Sequence, residues 1–273
     1  MRLAKLYSSI IFLQFFSFVS LAQEKNIYIE YIDKQIYRKE TTAFLIANSQ
    51  YAVYEERQSK EKAKKEVSEG SMGNVVALIL DVKPNKFYKT KDSQIIYYEE
   101  HIVKEETAYP VYDSIPKLNW EFVEGTEYIS GYICNKAKVR FRGTNLTAYY
   151  TTEIPVPFGP WKFDGLPGVI LKISDDQNSD KIYWEASKII YPYNKKVDFD
   201  FDKNDYTMSL KEFKFKSFRV YQERIPDNTP MNAAQRMKYG KRNFIVEKVY
   251  EWEKAGDVWR IYYMDYFQKI PPW

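Results

Sequence analysis

The sequence predicts a mainly β protein with C-terminal helices, built on an antiparallel curved sheet or a partly open barrel. Three observations carry that expectation. Aromatic residues make up 18% of the chain and tyrosine alone accounts for 25 positions, and an amphipathic ring suits a half-buried pleated surface. Short alternating stretches separated by turn residues recur about every eight to twelve positions, the spacing of an antiparallel sheet. No strand–helix–strand alternation is present, which disfavours a doubly wound fold.

At 273 residues, 45% hydrophobic and 29% charged, the chain has globular composition and length for one large domain. Arg2 and Lys5 precede an apolar run, Leu6 to Val19, which ends at Ser20-Leu21-Ala22. This is the order of a secretory signal peptide over residues 1–22, with cleavage expected after Ala22; the competing reading is an uncleaved anchor. Removing that segment leaves 39 basic against 37 acidic residues, a charge of +2. Such a balance gives no argument for nucleic acid or an anionic membrane as partner. Residues 23–273 are expected to form one β-rich domain with no transmembrane span, exported to the periplasm or associated with the outer membrane.

Ile27 to Ile32 opens that domain as a strand, and Thr41 to Glu55 supplies a second strand or a pair. The Lys/Glu/Ser/Ala-rich stretch at about 58–71 reads as a charged insertion without chemistry of its own. Val75 to Val82 is an apolar strand, and Lys86 to Tyr88 with Gln94 to Val103 forms a hairpin around Thr90-Lys91-Asp92-Ser93. Tyr109 to Tyr112 is extended. The block from Tyr128 to Phe141 is then turned by Gly143-Thr144-Asn145 into Leu146 to Thr151. Ser174 to Ser179 is a polar turn before a strand from Lys181 to Ile190. The period changes at about residue 209, where Ser209-Leu210-Lys211-Glu212 has the capping-box pattern. Phe213, Val220 and Tyr221 give a helical stripe, a second helix is expected from Met231 towards Ala255, and Val258 to Phe267 reads as a final strand or tail.

One stretch organises the rest: Gly159-Pro160-Trp161-Lys162-Phe163-Asp164-Gly165-Leu166-Pro167-Gly168, followed by Val169 to Ile173. Asp164-Gly165 is a turn dipeptide, and Pro167-Gly168 fits the centre of a type II turn with glycine at positive φ. Leu166 lies between the two turns and is expected to point inward. Val169, Leu171 and Ile173 share one face of the following strand, with Ile170 and Lys172 on the other. The expected structure is a rigid corner feeding a core strand.

The same residues carry a resemblance. Gly165-Leu166-Pro167-Gly168-Val169-Ile170 resembles the hexapeptide for which the GLPGLI family is named, with Val169 in place of leucine. Gly131 to Ala137, Phe141-Arg142-Gly143, Glu153-Ile154-Pro155 and Gly159-Pro160-Trp161 extend the likeness over a continuous block from about Ile129 to Asp175. The resemblance implies an exported protein of a Gram-negative bacterium and no established reaction, cofactor or catalytic residue.

The residues themselves remove common mechanisms. His101 is the only histidine, so histidine-rich metal sites and HExxH motifs are impossible within one chain, and only His101 could serve a Ser-His-Asp triad. Cys134, the only cysteine, reads as a small buried hydrophobe and excludes an internal disulfide. Asp198, Asp200, Asp202 and Asp205, like Asp175, Asp176 and Asp180, read as solvated faces rather than a calcium loop. No catalytic residue, metal ligand or cofactor is therefore assigned. Phe158, Trp161 and Phe163 are the candidate ligand- or partner-binding residues, as an exposed aromatic platform; the competing reading makes Trp161 a plug for the sheet. Gly159, Pro160, Trp161, Asp164, Gly165, Leu166, Pro167 and Gly168 form the structural motif. The expected function is non-enzymatic binding of an apolar or macromolecular ligand, or docking to an envelope protein. The alternative is a carboxylate-dependent hydrolase acting on glycan or peptide.

Overall fold

A computed structural model describes residues 25–34, 41–57, 85–101 and 107–224. Its strands are β1 (Asn26–Asp33), β2 (Thr41–Ala47), β3 (Tyr51–Arg57), β4 (Asn85–Thr90), β5 (Ile95–His101), β6 (Ala108–Ser114), β7 (Glu121–Ile129), β8 (Tyr132–Phe141), β9 (Thr144–Thr151), β10 (Val169–Asp175), β11 (Ile182–Tyr193) and the short β12 (Met208–Ser209). One helix, α1 (Leu210–Arg224), follows. Among the described residues all the strands belong to a single 12-stranded sheet in the order β12-β6-β5-β4-β3-β2-β1-β11-β10-β9-β8-β7. Only the β12–β6 pair is parallel.

The order has a simple origin. β1 to β6 make one meander and β7 to β11 another, because within each run strands consecutive in the chain are neighbours in the sheet. The two are joined where β1 pairs antiparallel with β11, from Asn26↔Tyr193 to Asp33↔Trp184. Strict alternation builds the inner face: Ile27, Ile29, Tyr31 and Asp33 are all buried on β1, as are Ala43, Leu45 and Ala47 on β2. The sheet is open but rolls strongly. Arg142, in the turn between β8 and β9, reaches Asp113 of β6 although their strands lie near opposite ends of the order.

Turn chemistry sets several boundaries. Arg142 and Gly143 both have positive φ (42° and 83°) and form a two-residue turn between paired Phe141 and Thr144, one step earlier than the expected Gly143-Thr144-Asn145. Ser130 and Gly131 (φ 47° and 95°) do the same between Ile129 and Tyr132, so the expected block from Tyr128 to Phe141 is two strands. The expected hairpin around Asp92 is present between β4 and β5, with Asp92 itself at φ 61°.

β10 is the core strand expected, buried on both faces, including Ile170 and Lys172. The stretch holding Asp198, Asp200 and Asp202 is not a strand. It crosses the outer face of the sheet, with Phe199 against Tyr51, Phe201 stacked on Tyr88 at 4.6 Å and Tyr206 edge-on to Tyr97, leaving the three aspartates exposed.

The helical part expected from about residue 209 begins at Leu210, on a reciprocal cap. The Ser209 amide donates to Glu212 Oε2 at 2.8 Å, while the Glu212 amide donates to Ser209 Oγ at 3.2 Å. Leu210 and Phe213 are buried, Phe213 against Tyr109 of β6. No helix among the described residues is long and apolar enough to cross a membrane. The expected signal peptide, charged insertion, strand from Val75 to Val82, helix from Met231 and tail from Val258 all fall outside the described residues.

Candidate functional site

Residues 152–168, between β9 and β10, enter the hollow of the rolled sheet. Their tip is a tight turn in which the Phe163 amide donates to the Pro160 carbonyl at 3.1 Å. Phe158 and Asp164 then pair as an isolated bridge. Trp161 takes φ 50° at this turn, a left-handed conformation rare for a bulky side chain. Gly165 has φ 85°, in keeping with an Asp-Gly turn.

Pro167-Gly168 is not the type II turn expected, because Gly168 is not among the positive-φ residues. Its requirement is space: a Cβ there would lie 2.0 Å from the Thr151 carbonyl oxygen. Gly159 is constrained similarly, a Cβ falling 2.7 Å from Ile170 Cβ. The corner presses onto backbone at Gly168 and onto the Ile170 side chain at Gly159.

The expected aromatic platform is not exposed. Phe158 and Phe163 are buried and Trp161 retains 9% of its surface, because their rings fill the hollow. Trp161 stacks on Trp184 with centroids 5.6 Å apart, and Phe163 meets Phe141 edge-on at 5.2 Å. Leu166 is buried as its position between turns suggests.

Two lysines fix this plug. Lys89 of β4 donates from Nζ to the carbonyls of Gly159 (2.9 Å) and Phe163 (3.0 Å), and burial lowers its pKa to about 8. Asp164 lies near that ammonium but burial outweighs it, pushing the carboxyl up to about 6. Lys162, at the tip, donates to Asp113 Oδ2 at 2.7 Å and to the Tyr98 hydroxyl at 3.3 Å. Asp113 also receives both arms of Arg142, each at 2.8 Å. Burial alone would raise the Asp113 pKa, yet Lys162 and Arg142 overcome it and hold the group at about 2.

A second polar cluster shares this hollow. Trp184 Nε1 donates to Asp33 Oδ2 at 3.1 Å and to the Tyr54 hydroxyl at 2.9 Å. The Tyr54 hydroxyl donates to the same carboxylate oxygen at 3.3 Å. Burial, then Asp33 and Glu56, raise the Tyr54 phenol well above its ordinary value. Glu56, two residues on and on the same face, is pushed up to about 8 by burial, with Asp33 and Glu100 adding and Lys162 opposing. Asn85, opposite Glu56 in the β3–β4 register, has a buried Oδ1 with no hydrogen-bond partner.

Apart from Asp164, named for its turn, none of these inward charges was singled out from the sequence, although a signal existed. Asp33 follows Ile27, Ile29 and Tyr31 in the buried phase of its strand, Glu56 follows Ala52 and Tyr54, and Asp113 follows Val111. A charge in a buried phase requires a partner, and Lys162 between Trp161 and Phe163 is a cation with the same need. His101 is exposed at the end of β5. Cys134 is buried, and burial with Glu127 and Glu153 pushes its thiol up to about 12, so the site gains no nucleophile from it. Among the described residues no cluster of His, Cys, Asp and Glu is arranged to hold a metal ion.

The far end of the sheet differs. Phe122, Tyr128 and Ile133, on β7 and β8, are 62%, 73% and 59% exposed. Tyr128 pairs directly with Ile133 and Phe122 with Ala137, which places all three side chains on one face.

Comparison with known proteins adds a narrow likeness. A protein-family model described as "Protein of unknown function (Porph_ging)" matches residues 140–172, a stretch that includes Arg142, Lys162 and the corner. Among solved structures, PNGF-II in space group P21 is similar at 16% identity and TM-score 0.46, covering 71% of this chain and 34% of that one. PNGF-II in space group C2 is similar at 15% identity and TM-score 0.45, covering 76% and 36% respectively. The chain thus spans about a third of the length of the solved chains it matches. No curated protein matches it.

Proposed function

We propose that this chain is an exported cell-envelope protein of the GLPGLI family, a non-enzymatic binding module that docks an envelope protein or another macromolecule. The observation carrying the reading is the exposed strip of Phe122, Tyr128 and Ile133 at the end of the sheet. Aromatic and aliphatic side chains that converge on one face are the usual anchors of a partner surface. The rest of the inner face supports the same division of labour. Lys89 and Asp113 each hold two partners, so the buried charges act as pins for the corner. The test is a pull-down from the outer-envelope fraction with the mature protein as bait, beside a Phe122→Ser/Tyr128→Ser variant. Specific capture lost in the variant is expected; identical capture by both proteins overturns the reading.

A second reading, the carboxylate-dependent hydrolase, is favoured by one observation. Glu56 holds its proton to about pH 8 beside Asp33, and the Asn85 Oδ1 next to it stands open as an acceptor. Two carboxyl groups in one hollow, one of them held in its protonated form, are the elements of acid–base hydrolysis. Turnover of a glycan or peptide, abolished by Glu56→Gln with the fold retained, would establish this reading over the first.

A further inference from the structure

We infer that the outer edge of β7 receives an extended peptide strand, basic on one face and apolar on the other. This rests on the binding reading and names its mode. β7 is the last strand of the sheet, and among the described residues only β8 pairs with it. Its outer edge therefore presents backbone donors and acceptors at strand spacing, the template for strand addition. Gly125, at φ 99°, sits where the β7–β8 register breaks between Val123 and Thr126, so the edge consists of two short runs, Glu121 to Val123 and Thr126 to Ile129.

The two faces specify the occupant. On one, Phe122, Tyr128 and Ile133 leave exposed apolar surface that the side chains of an added strand would cover. On the other, Glu121 stands opposite Lys138 of β8, and Glu127 bonds Lys172 at 2.7 Å. β7 itself carries Glu121, Glu124 and Glu127 and no lysine or arginine. An opposite charge directly across a strand pair is favourable and a like charge is not. Lysine or arginine is therefore preferred in the next strand. A second copy pairing through the same edge would set glutamate against glutamate.

The experiment titrates the full chain, by fluorescence anisotropy, into three labelled short peptides. One alternates lysine and valine, one alternates glutamate and valine, and the third is the lysine–valine peptide N-methylated at every second residue. The lysine–valine peptide is expected to bind, and its N-methylated form to bind at least about ten-fold more weakly because its edge can no longer donate. The exposed double variant Glu121→Lys/Glu124→Lys should transfer the preference to the glutamate–valine peptide. Equal binding with and without N-methylation overturns the proposal, as does binding of none of the three. A concentration-dependent dimer that the charge variant alters also overturns it, by giving the edge to a second copy. If no peptide binds while Phe122→Ser/Tyr128→Ser still abolishes capture of an envelope partner, the binding reading stands and strand addition falls.

Discussion

Gly168 sits so close to the Thr151 carbonyl that a methyl group placed on it would overlap the oxygen, and the contact is backbone on both sides. Neither partner can rotate away, so the corner must shift as a unit. Gly165 differs: a Cβ there meets nothing nearer than Trp120 Nε1 at 3.8 Å, and only its φ of 85° opposes a side chain. Gly165→Ala should therefore cost about 1 kcal/mol, and Gly168→Ala about 3 kcal/mol or more. Denaturant midpoints of the two variants check the ranking, and a larger loss at Gly165 would contradict it. The sequence displayed both glycines but not their reasons. A Pro-Gly pair is consistent with positive φ, whereas close approach depends on what the fold brings opposite, and Thr151 is a long step back along the chain. The same limit hid the charge network: the phase of Asp33, Glu56 and Asp113 could be read in their strands, but the identity of their partners could not.

Elements were more legible than contacts. The β4–β5 hairpin and the start of α1 followed directly from turn and capping chemistry, because each signal lies within a few residues. Where the turn dipeptide was less familiar, as at Ser130-Gly131 and Arg142-Gly143, boundaries moved or a hairpin passed for one strand. The Asp198–Asp202 stretch kept its alternation without becoming a strand, since its aromatic rings found the outer tyrosines instead of a ladder. The capping box gives a quantitative expectation at this scale. Ser209→Ala removes a side-chain acceptor for the Glu212 amide and should destabilise by about 1 kcal/mol. Amide hydrogen exchange should localise the loss to the first turn of α1; faster exchange in β1 or β11 instead would contradict the assignment.

At the scale of the whole molecule, Asp113 ties the two ends of the rolled sheet to the corner through Arg142 and Lys162. Asp113→Asn would leave two buried cations without their shared carboxylate, a loss of about 3–5 kcal/mol. The acid limb of stability follows from the same group. Its folded pKa of about 2 lies below the value of an exposed aspartate, so the unfolded chain binds more protons between the two. The contribution is complete above about pH 4, is lost as pH falls towards 2, and amounts to about 2 kcal/mol. Denaturant midpoints across that window should fall steeply in the parent protein and less so in Asp113→Asn.

The junction between β1 and β11 sets the order in which the molecule can assemble. The first meander can pair strand by strand as it emerges during synthesis, but its β1 margin stays bare until residues 182–193 arrive. Pairing so distant along the chain carries a high entropic toll and is slow. Until then the row of Ile27, Ile29 and Tyr31 lies on an unpaired margin, and a nascent chain halted before β11 would be a natural client for a holding chaperone.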